Sequence, residues 1–257
     1  MIKKRLIGVV TVKDGWAVQS FGYERYLPLG RPEVLVQNLD RWGADEILLQ
    51  SIDRTSAGAG PDFALLDRVS KLGIATPLVC SGGIRSAEDA RRAVNIGADR
   101  VALDALLRDD PREVAEIGYQ LGAQAVIAAI PLTATPAGVL WRDYRSGEDT
   151  PFSAELVSLL EDGAISEALI IDHTHEGKPD AFDPALLDCG LAPHVPLIAF
   201  GGISAVQSMT ELYKRPQTAA VAVGNFLSYR EHAVQEYKNA LYGVPVRPAY
   251  YHRTIHP

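Results

Sequence analysis

The sequence predicts an α/β protein with the (β/α)8 TIM barrel fold, built from two similar half-barrels. Three observations carry this prediction: eight short apolar runs alternate with amphipathic stretches, the chain has 257 residues, and segments of its first half recur in its second half. Eight strand–helix units in about 250 residues is the size of such a barrel. An open doubly wound sheet is the alternative, but the glycine fingerprint that usually follows its first strand is missing.

The predicted strands are short, apolar and spread along the whole chain. They occupy residues 5–12, 45–51, 76–81, 99–104, 124–130, 167–172, 195–200 and 219–224. Continuous runs of Val, Ile, Leu and Ala are typical of parallel strands that helices cover from outside. Helical patterns lie between them at residues 31–43, 86–97, 110–122 and 153–163. Several begin at Ser, Asp or Pro and end at Gly, which are common start and stop signals of a helix.

Internal repeats support the division into two halves. Four pairs of residues recur at nearly constant spacing: Asp53 with Asp172 and Gly82 with Gly201 at 119, Val101 with Val221 at 120, and Glu46 with Glu167 at 121. Two half-barrels of four strand–helix units each explain this spacing. Because no linker or shift in composition interrupts the chain, we expect residues 1–257 to form one domain. It ends in a short surface tail from about residue 243 to 257.

Composition and charge exclude several classes of protein. Lys and Arg number 25 against 32 Asp and Glu, a net charge of −7, which does not favour binding to nucleic acid. No apolar run reaches the roughly 18 residues of a membrane span, and the start lacks the cleavage site of a signal peptide. The two cysteines, Cys80 and Cys189, support neither a disulfide framework nor a zinc cluster. We therefore expect a cytoplasmic protein with no metal and no cofactor.

Glycine pairs follow the third and seventh predicted strands. Backbone N–H groups in such turns, together with the start of the next helix, form a site for an anion. The predicted phosphate-binding residues are Gly82, Gly83, Ser86, Gly201, Gly202, Ser204, Gly224 and Asn225. The alternative is that the glycines only make the turn from strand to helix. The second-half site is the stronger prediction, because Asp104 stands where the second half has Gly224, and a carboxylate repels phosphate.

Carboxylates and imidazoles follow the second and sixth strands, at the end of a barrel where catalysis takes place. Asp53 comes just after the second strand and Asp172 ends the sixth, with His173, His175 and Glu176 directly behind it. Asp53, Asp172 and Glu176 are therefore candidates for acid–base catalysis. Capping of the loops and, less favoured, metal binding are the alternatives.

Four charged residues open the first, second, fourth and sixth strands, namely Arg5, Glu46, Arg100 and Glu167. In a closed barrel they lie at the amino-terminal mouth, where opposite charges pair across the opening. By themselves they indicate a salt-bridge plug that contributes little to stability.

Several motifs together resemble the cyclase subunit of imidazole glycerol phosphate synthase, the ammonia-using barrel of histidine biosynthesis. They are VTVKDGWAVQ at 10–19, GADEILL at 43–49, GGIRSAEDA at 82–90, GADRV at 97–101 and AFGGIS at 199–204, and the resemblance covers roughly residues 3–240. It implies a ligand with a phosphate at each end and a glutaminase docked on the amino-terminal face. It also implies that ammonia passes through the barrel. The implied gate consists of Arg5, Glu46, Arg100 (where the family usually has Lys) and Glu167, with Asp99 at the glutaminase interface.

The sequence departs from the family at the catalytic end of the barrel. The family's two catalytic aspartates correspond to Thr11 and Pro131 here, and neither side chain transfers a proton near neutral pH. Gln19 stands where the family has a flexible-loop lysine. Asp104–Ala105 stands where the family has Asn–Thr contacts to phosphate.

Residues 21–33 and 223–235 further resemble paralogues found with surface-polysaccharide genes, which pair with a glutaminase and support amidation of a sugar. The favoured hypothesis is a barrel that conducts ammonia within a glutamine-dependent amidotransferase, for sugar amidation or another non-histidine product. Its ligand would be phosphorylated or derived from a sugar. The second hypothesis is an active cyclase, a lyase, with relocated carboxylates such as Asp53 and Asp172. The third is a barrel that binds a phosphate ligand and has no ammonia role.

Overall fold

Eight parallel strands close into a barrel in the computed structural model, which describes residues 3–249. The strands in chain order are β1 (Arg5–Lys13), β2 (Trp16–Phe21), β3 (Arg25–Gly30), β4 (Glu46–Ser51), β5 (Leu78–Ser81), β6 (Arg100–Leu103), β7 (Val126–Thr135), β8 (Gly138–Asp143), β9 (Glu148–Thr150), β10 (Glu167–Asp172), β11 (Leu197–Phe200) and β12 (Thr218–Val223). The barrel consists of β1, β4, β5, β6, β7, β10, β11 and β12, and it closes where β12 pairs in parallel with β1. The predicted (β/α)8 barrel and its eight strands are confirmed.

Helices cover the outside of this barrel. They are α1 (Pro32–Arg41), α2 (Phe63–Ser70), α3 (Ala87–Ile96), α4 (Leu106–Asp109), α5 (Pro111–Leu121), α6 (Ala154–Glu161), α7 (Val206–Lys214) and α8 (Ala233–Ala240), with short 3-10 turns at Ala123–Ala125, Pro184–Leu186 and Asn225–Ser228. The four predicted helices are confirmed as α1, α3, α5 and α6. Within the described range, no helix has both the length and the apolar content that a membrane crossing requires.

Local signals in the sequence fix the ends of the helices. The Ser86 hydroxyl accepts a hydrogen bond from the Asp89 amide at the start of α3, and Asp110 caps the start of α5 in the same way. Gly97 and Gly122 end these two helices with φ of 139° and 84°, a backbone region that glycine enters at little cost. The chain therefore leaves each helix where the sequence predicts it.

The inward-facing side chains form an apolar layer in the middle of the barrel. One residue from each barrel strand contributes to it: Ile7, Leu48, Val79, Ala102, Ile127, Leu169, Ile198 and Ala222. They surround a cavity of about 10 Å³, room for about one molecule of the size of water. Side chains alternate along a strand, so the residues of the opposite face, such as Leu6 and Val10 in β1, point outward and pack under the helices.

Two hairpins extend β1 and β7 beyond the barrel, and neither was predicted. A turn at Asp14 and Gly15, with φ of 51° and 77°, joins β1 to β2 and has the left-handed geometry that Asp-Gly favours in tight hairpins. The segment 21–33 contains β3, which pairs with β2 to complete the first hairpin. The second hairpin arises because β7 continues five residues past its predicted end and pairs with β8, which pairs with β9.

The end of the described chain returns to the amino-terminal side of the barrel. Val246 forms an isolated parallel bridge with Lys4, and Val244 and Val246 pack against the core. Residues 243–249 of the predicted tail therefore lie beside the start of β1. The rest of that tail falls outside the described residues.

A buried ion pair on this side joins the first and last units of the barrel. The Lys238 ammonium lies 2.8 Å from the Asp45 carboxylate, and their side chains are 2% and 4% exposed. Asp45 also accepts a hydrogen bond from the Leu6 amide, and Lys238 donates one to the Gly43 carbonyl oxygen. Burial lowers the pKa of Lys238, although Asp45 opposes this shift.

We expect Lys238→Ala to lower the free energy of unfolding by about 3–5 kcal/mol, because it leaves the Asp45 carboxylate buried without its cation. Lys214→Ala is the matched control, since Lys214 pairs with Glu211 on the surface, and it should cost less than about 1 kcal/mol. Urea denaturation of both variants measures the difference. Equal losses in the two variants would contradict this role of the buried pair.

Candidate functional site

The four charged residues predicted at the amino-terminal mouth form one ring of ion pairs. Arg5 contacts Glu46 at 3.3 Å and also pairs with Glu167. Arg100 contacts the same two carboxylates at 3.0 and 2.6 Å. Each arginine therefore bridges both glutamates, and the ring closes the mouth directly outside the apolar layer.

Further hydrogen bonds hold the ring in place. Arg100 donates to the Gln124 carbonyl oxygen and to the Ser166 hydroxyl. Burial disfavours the charge of Arg5, but the hydrogen bond and charge of Glu167 outweigh it and raise the pKa of Arg5. Asp99, predicted at a partner interface, is exposed on this face, and one of its carboxylate oxygens accepts from the Leu78 amide at 2.8 Å.

A pocket of about 240 Å³ opens at the opposite, carboxyl-terminal mouth. Its floor consists of strand ends, among them Gln50, Ser81 and Pro131. The two hairpins supply much of its wall: Gly22, Tyr23, Glu24 and Tyr26 from the first, and Arg142 and Tyr144 from the second. The pocket thus lies at the end of the barrel where such folds bind their ligands, and its shape depends on the two hairpins.

The two positions where relatives are expected to carry aspartates lie at this mouth. Pro131 lines the pocket, while Thr11 is buried two residues before the end of β1, in register with Gln50. The carboxylates that line the pocket are instead Asp104 and Glu24. Asp104 accepts hydrogen bonds from the Tyr144 hydroxyl at 2.5 Å and from the Thr55 hydroxyl at 3.1 Å.

Tyr23 and His173 pack together over the pocket, with ring centroids 5.5 Å apart. Burial, and then the positive charge of Arg142, lower the pKa of His173. This shift favours the neutral form of the His173 imidazole.

The first-half glycine pair is held by contacts within the chain. A Cβ atom on Gly82 would collide with the Ser51 carbonyl group, and one on Gly83 would collide with Gly60. The Gly83 amide donates to the Thr55 hydroxyl oxygen at 2.8 Å, and the Ser86 hydroxyl already caps α3. Close backbone contact accounts for both glycines. The Gly83 amide and the Ser86 hydroxyl, which are predicted to bind phosphate, already have hydrogen-bond partners within the chain.

The second-half site is covered by the first hairpin. The Asn225 side chain bonds to both the amide and the carbonyl group of Ser20, at 3.1 and 2.6 Å. A Cβ atom on Gly201 would come 2.6 Å from the Asp172 carbonyl oxygen, so this glycine also permits a close approach of two loops. The start of α7 lies just after Ser204, and no side chain among the described residues caps it.

The three predicted acid–base candidates bind the backbone of loops, and none of them lines the pocket. Asp53 accepts from the Asp14 amide at 2.8 Å, in the turn of the first hairpin. Asp172 accepts from the His175 ring at 2.9 Å and from the Asp183 amide. Glu176 accepts from the Ser20 hydroxyl at 2.9 Å and from the Tyr23 amide at 3.2 Å.

Asp53 and Asp172 do not occupy equivalent places in the two halves. Asp172 is the last residue of β10, and the last residue of β4 is Ser51. Asp53 lies two residues further along, in the loop. The sequence repeat therefore pairs two aspartates that occupy different positions relative to the ends of their strands.

Sequence reasoning missed Tyr23, Gln50, Arg142 and Tyr144 as pocket residues. The Asp-Gly turn signal at 14–15, between two runs of alternating apolar residues, would have predicted the first hairpin and so the position of Tyr23. Gln50 follows from the alternation along β4, since it lies two residues after Leu48 on the inner face. The second hairpin turns at Pro136 and Ala137, directly before Gly138, and this Pro and Gly pattern is also a turn signal.

A parallel barrel with an ion-pair ring at one mouth and a polar pocket at the other defines a protein of the (β/α)8 class, whose members bind their ligands at the carboxyl-terminal face. Comparison with known proteins identifies its family. Residues 5–233 match the model of the histidine biosynthesis protein family. The chain therefore belongs to this family.

Curated relatives agree over nearly the whole chain. The imidazole glycerol phosphate synthase subunit HisF of Anoxybacillus flavithermus is 30% identical over 255 residues, covering 96% of this chain and 100% of the relative. The proteins of the same name from Exiguobacterium sibiricum and Halalkalibacterium halodurans are 30% and 29% identical with the same coverage.

Burial raises the pKa of Glu176, so the folded protein binds a proton here at a pH where the unfolded chain has released it. Stability relative to Glu176→Gln should therefore fall as the pH rises above about 4.5, through the raised pKa. Urea denaturation of the wild type and of this variant across that range measures the effect. The exposed Glu211→Gln change is the control. A difference that stays constant with pH would contradict the shifted pKa.

Proposed function

We propose that this protein is the barrel subunit of a glutamine-dependent amidotransferase and conducts ammonia from a glutaminase on its amino-terminal face to its carboxyl-terminal face. The observation that carries the proposal is the ion-pair ring of Arg5, Glu46, Arg100 and Glu167 over an apolar barrel interior. The relatives support the existence of a partner, because each of them is named as a subunit of a synthase.

Physical chemistry favours neutral ammonia along this path. The apolar layer offers no hydrogen bonds, so an ammonium ion would lose its hydration without compensation. Neutral ammonia has about the size of water, and its transfer into the same layer costs far less desolvation free energy. Since each arginine of the ring contacts both glutamates, one ion pair can break while the other three hold the mouth together.

The carboxyl-terminal face favours an acceptor other than the histidine precursor. Thr11 and Pro131 carry no carboxylate, and Asp53 and Asp172 are engaged in loop contacts outside the pocket. The cyclase with relocated carboxylates is therefore the weaker alternative. A sugar or another non-histidine acceptor, in a cytoplasmic assembly, is the proposal that fits residues 21–33 and 223–235. The phosphate-binding barrel without ammonia is the remaining alternative, and the uncapped start of α7 favours it.

We expect Glu167→Ala to uncouple the two reactions. With amide-labelled 15N-glutamine, a glutaminase partner and an extract that supplies the acceptor, less label should reach product and more should appear as free ammonium. Arg5 and Arg100 keep Glu46, so the free energy of unfolding should fall by only about 1–2 kcal/mol. Glu155→Ala, an exposed change in the first turn of α6, is the control. Unchanged partition of the label would refute the gate.

We expect no ring closure on the phosphoribulosyl substrate of the family when ammonium salts replace the glutaminase, because proton transfer lacks its carboxylates. Chromatography of the reaction mixture detects the product. Turnover at high ammonium would establish the cyclase alternative. A stable complex in which the barrel stimulates a glutaminase would instead exclude a simple ligand-binding barrel.

A further inference from the structure

Three buried polar atoms on residues that line the carboxyl-terminal pocket form no hydrogen bond of normal geometry. They are the Gln50 Oε1 atom, the Tyr23 hydroxyl and the Arg142 Nε atom, and they are half of all such side-chain atoms within residues 3–249. The Gln50 side chain lines the pocket, and the residue is only 9% exposed. Buried polar groups are nearly always satisfied in folded proteins. Their concentration here indicates a ligand that supplies both hydrogen-bond donors and acceptors.

The Arg142 guanidinium, which lines the pocket, is already paired within the chain. Arg142 donates to the Gly147 carbonyl oxygen and contacts Asp149 at 3.1 Å. Asp104 keeps a negative charge on the opposite wall, and Thr55 occupies the Gly83 amide that a phosphate would need. An anionic group on this side would meet a carboxylate and find its backbone donor occupied. The pocket therefore disfavours an anionic ligand.

The walls indicate the shape of that ligand. Tyr23, Tyr26 and Tyr144 present flat aromatic side chains with hydroxyl groups at their ends, a combination that suits a ring with polar substituents. Gln50 and Asp104 supply acceptors for hydroxyl groups. A volume of about 240 Å³ is just below the usual range of small-molecule pockets and accommodates one ring.

We propose that this pocket binds a single uncharged, polyhydroxylated ring, held by Gln50, Tyr23 and Arg142, with Asp104 excluding phosphate from the same side. This inference goes beyond the proposed function, because it concerns binding by the barrel alone. Neither ammonia nor a glutaminase takes part in its test. If no uncharged ring binds, the proposed transfer of ammonia is unaffected. If ammonia is not transferred, the proposed binding of a ring is likewise unaffected.

Titration calorimetry on the full chain tests the proposal with glucose, N-acetylglucosamine and myo-inositol, and with glucose 6-phosphate and inorganic phosphate as charged probes. We expect saturable binding of at least one uncharged ring, with glucose 6-phosphate weaker than glucose. Gln50→Leu and Tyr23→Phe should each weaken binding of that ring about tenfold, the effect of one lost hydrogen bond. Gln120→Leu, on the exposed face of α5, should leave it unchanged.

Two further readouts separate binding from folding. Tyr23→Phe removes a hydroxyl that forms no hydrogen bond of normal geometry in the free protein, so its melting temperature should stay the same or rise while affinity falls. Asp104→Asn should raise the affinity for glucose 6-phosphate relative to glucose. The proposal is overturned if none of the uncharged rings binds, if both pocket variants bind as the wild type does, or if phosphate esters bind more tightly than the uncharged rings.

Discussion

The alternation of side chains along eight closed parallel strands is the constraint on which the rest of this structure depends. Closure fixes the register of the strands, so that inward-facing residues stack in layers. The layer at the amino-terminal mouth holds four charges, the middle layer is apolar, and the layer around Gln50 and Asp104 is polar. A single cylinder therefore places an ionic, an apolar and a polar section one after another, with no extra domain to separate them.

Much of the fold and of the ion-pair ring could be predicted because both depend on local patterns. An apolar run predicts a strand. Closure of the barrel then fixes the position along the barrel axis of a charged residue at the start of that strand. Arg5 and Glu167 are 162 residues apart in the chain, yet strand order alone brings them together. The pocket was less predictable, because its walls come from hairpins whose position over the barrel depends on long-range contacts such as that between Asn225 and Ser20.

The roles of single residues could be predicted less well than the fold, for a related reason. A carboxylate after a strand serves equally well as a catalytic group or as an acceptor for backbone amides, and the sequence is the same in both cases. Asp53, Asp172 and Glu176 each accept from a backbone amide in the structure. The glycine pairs present the same ambiguity. Close backbone contact requires Gly82 and Gly201 whether or not an anion binds beside them.

The two halves of the barrel differ most where the first hairpin lies. Asn225 and Glu176 hold this hairpin over the second half through Ser20 and the Tyr23 amide. The Tyr23 side chain then reaches the first half and helps to form the pocket with Gln50. A ligand that binds both halves equally would need an open, symmetric mouth, whereas this hairpin covers one half and adds a wall to the other. Two differences therefore lie at the same, carboxyl-terminal end of the barrel: Thr11 and Pro131 lack carboxylates, and the hairpins form the pocket. The ion-pair ring and the apolar layer lie below this mouth and do not depend on either feature.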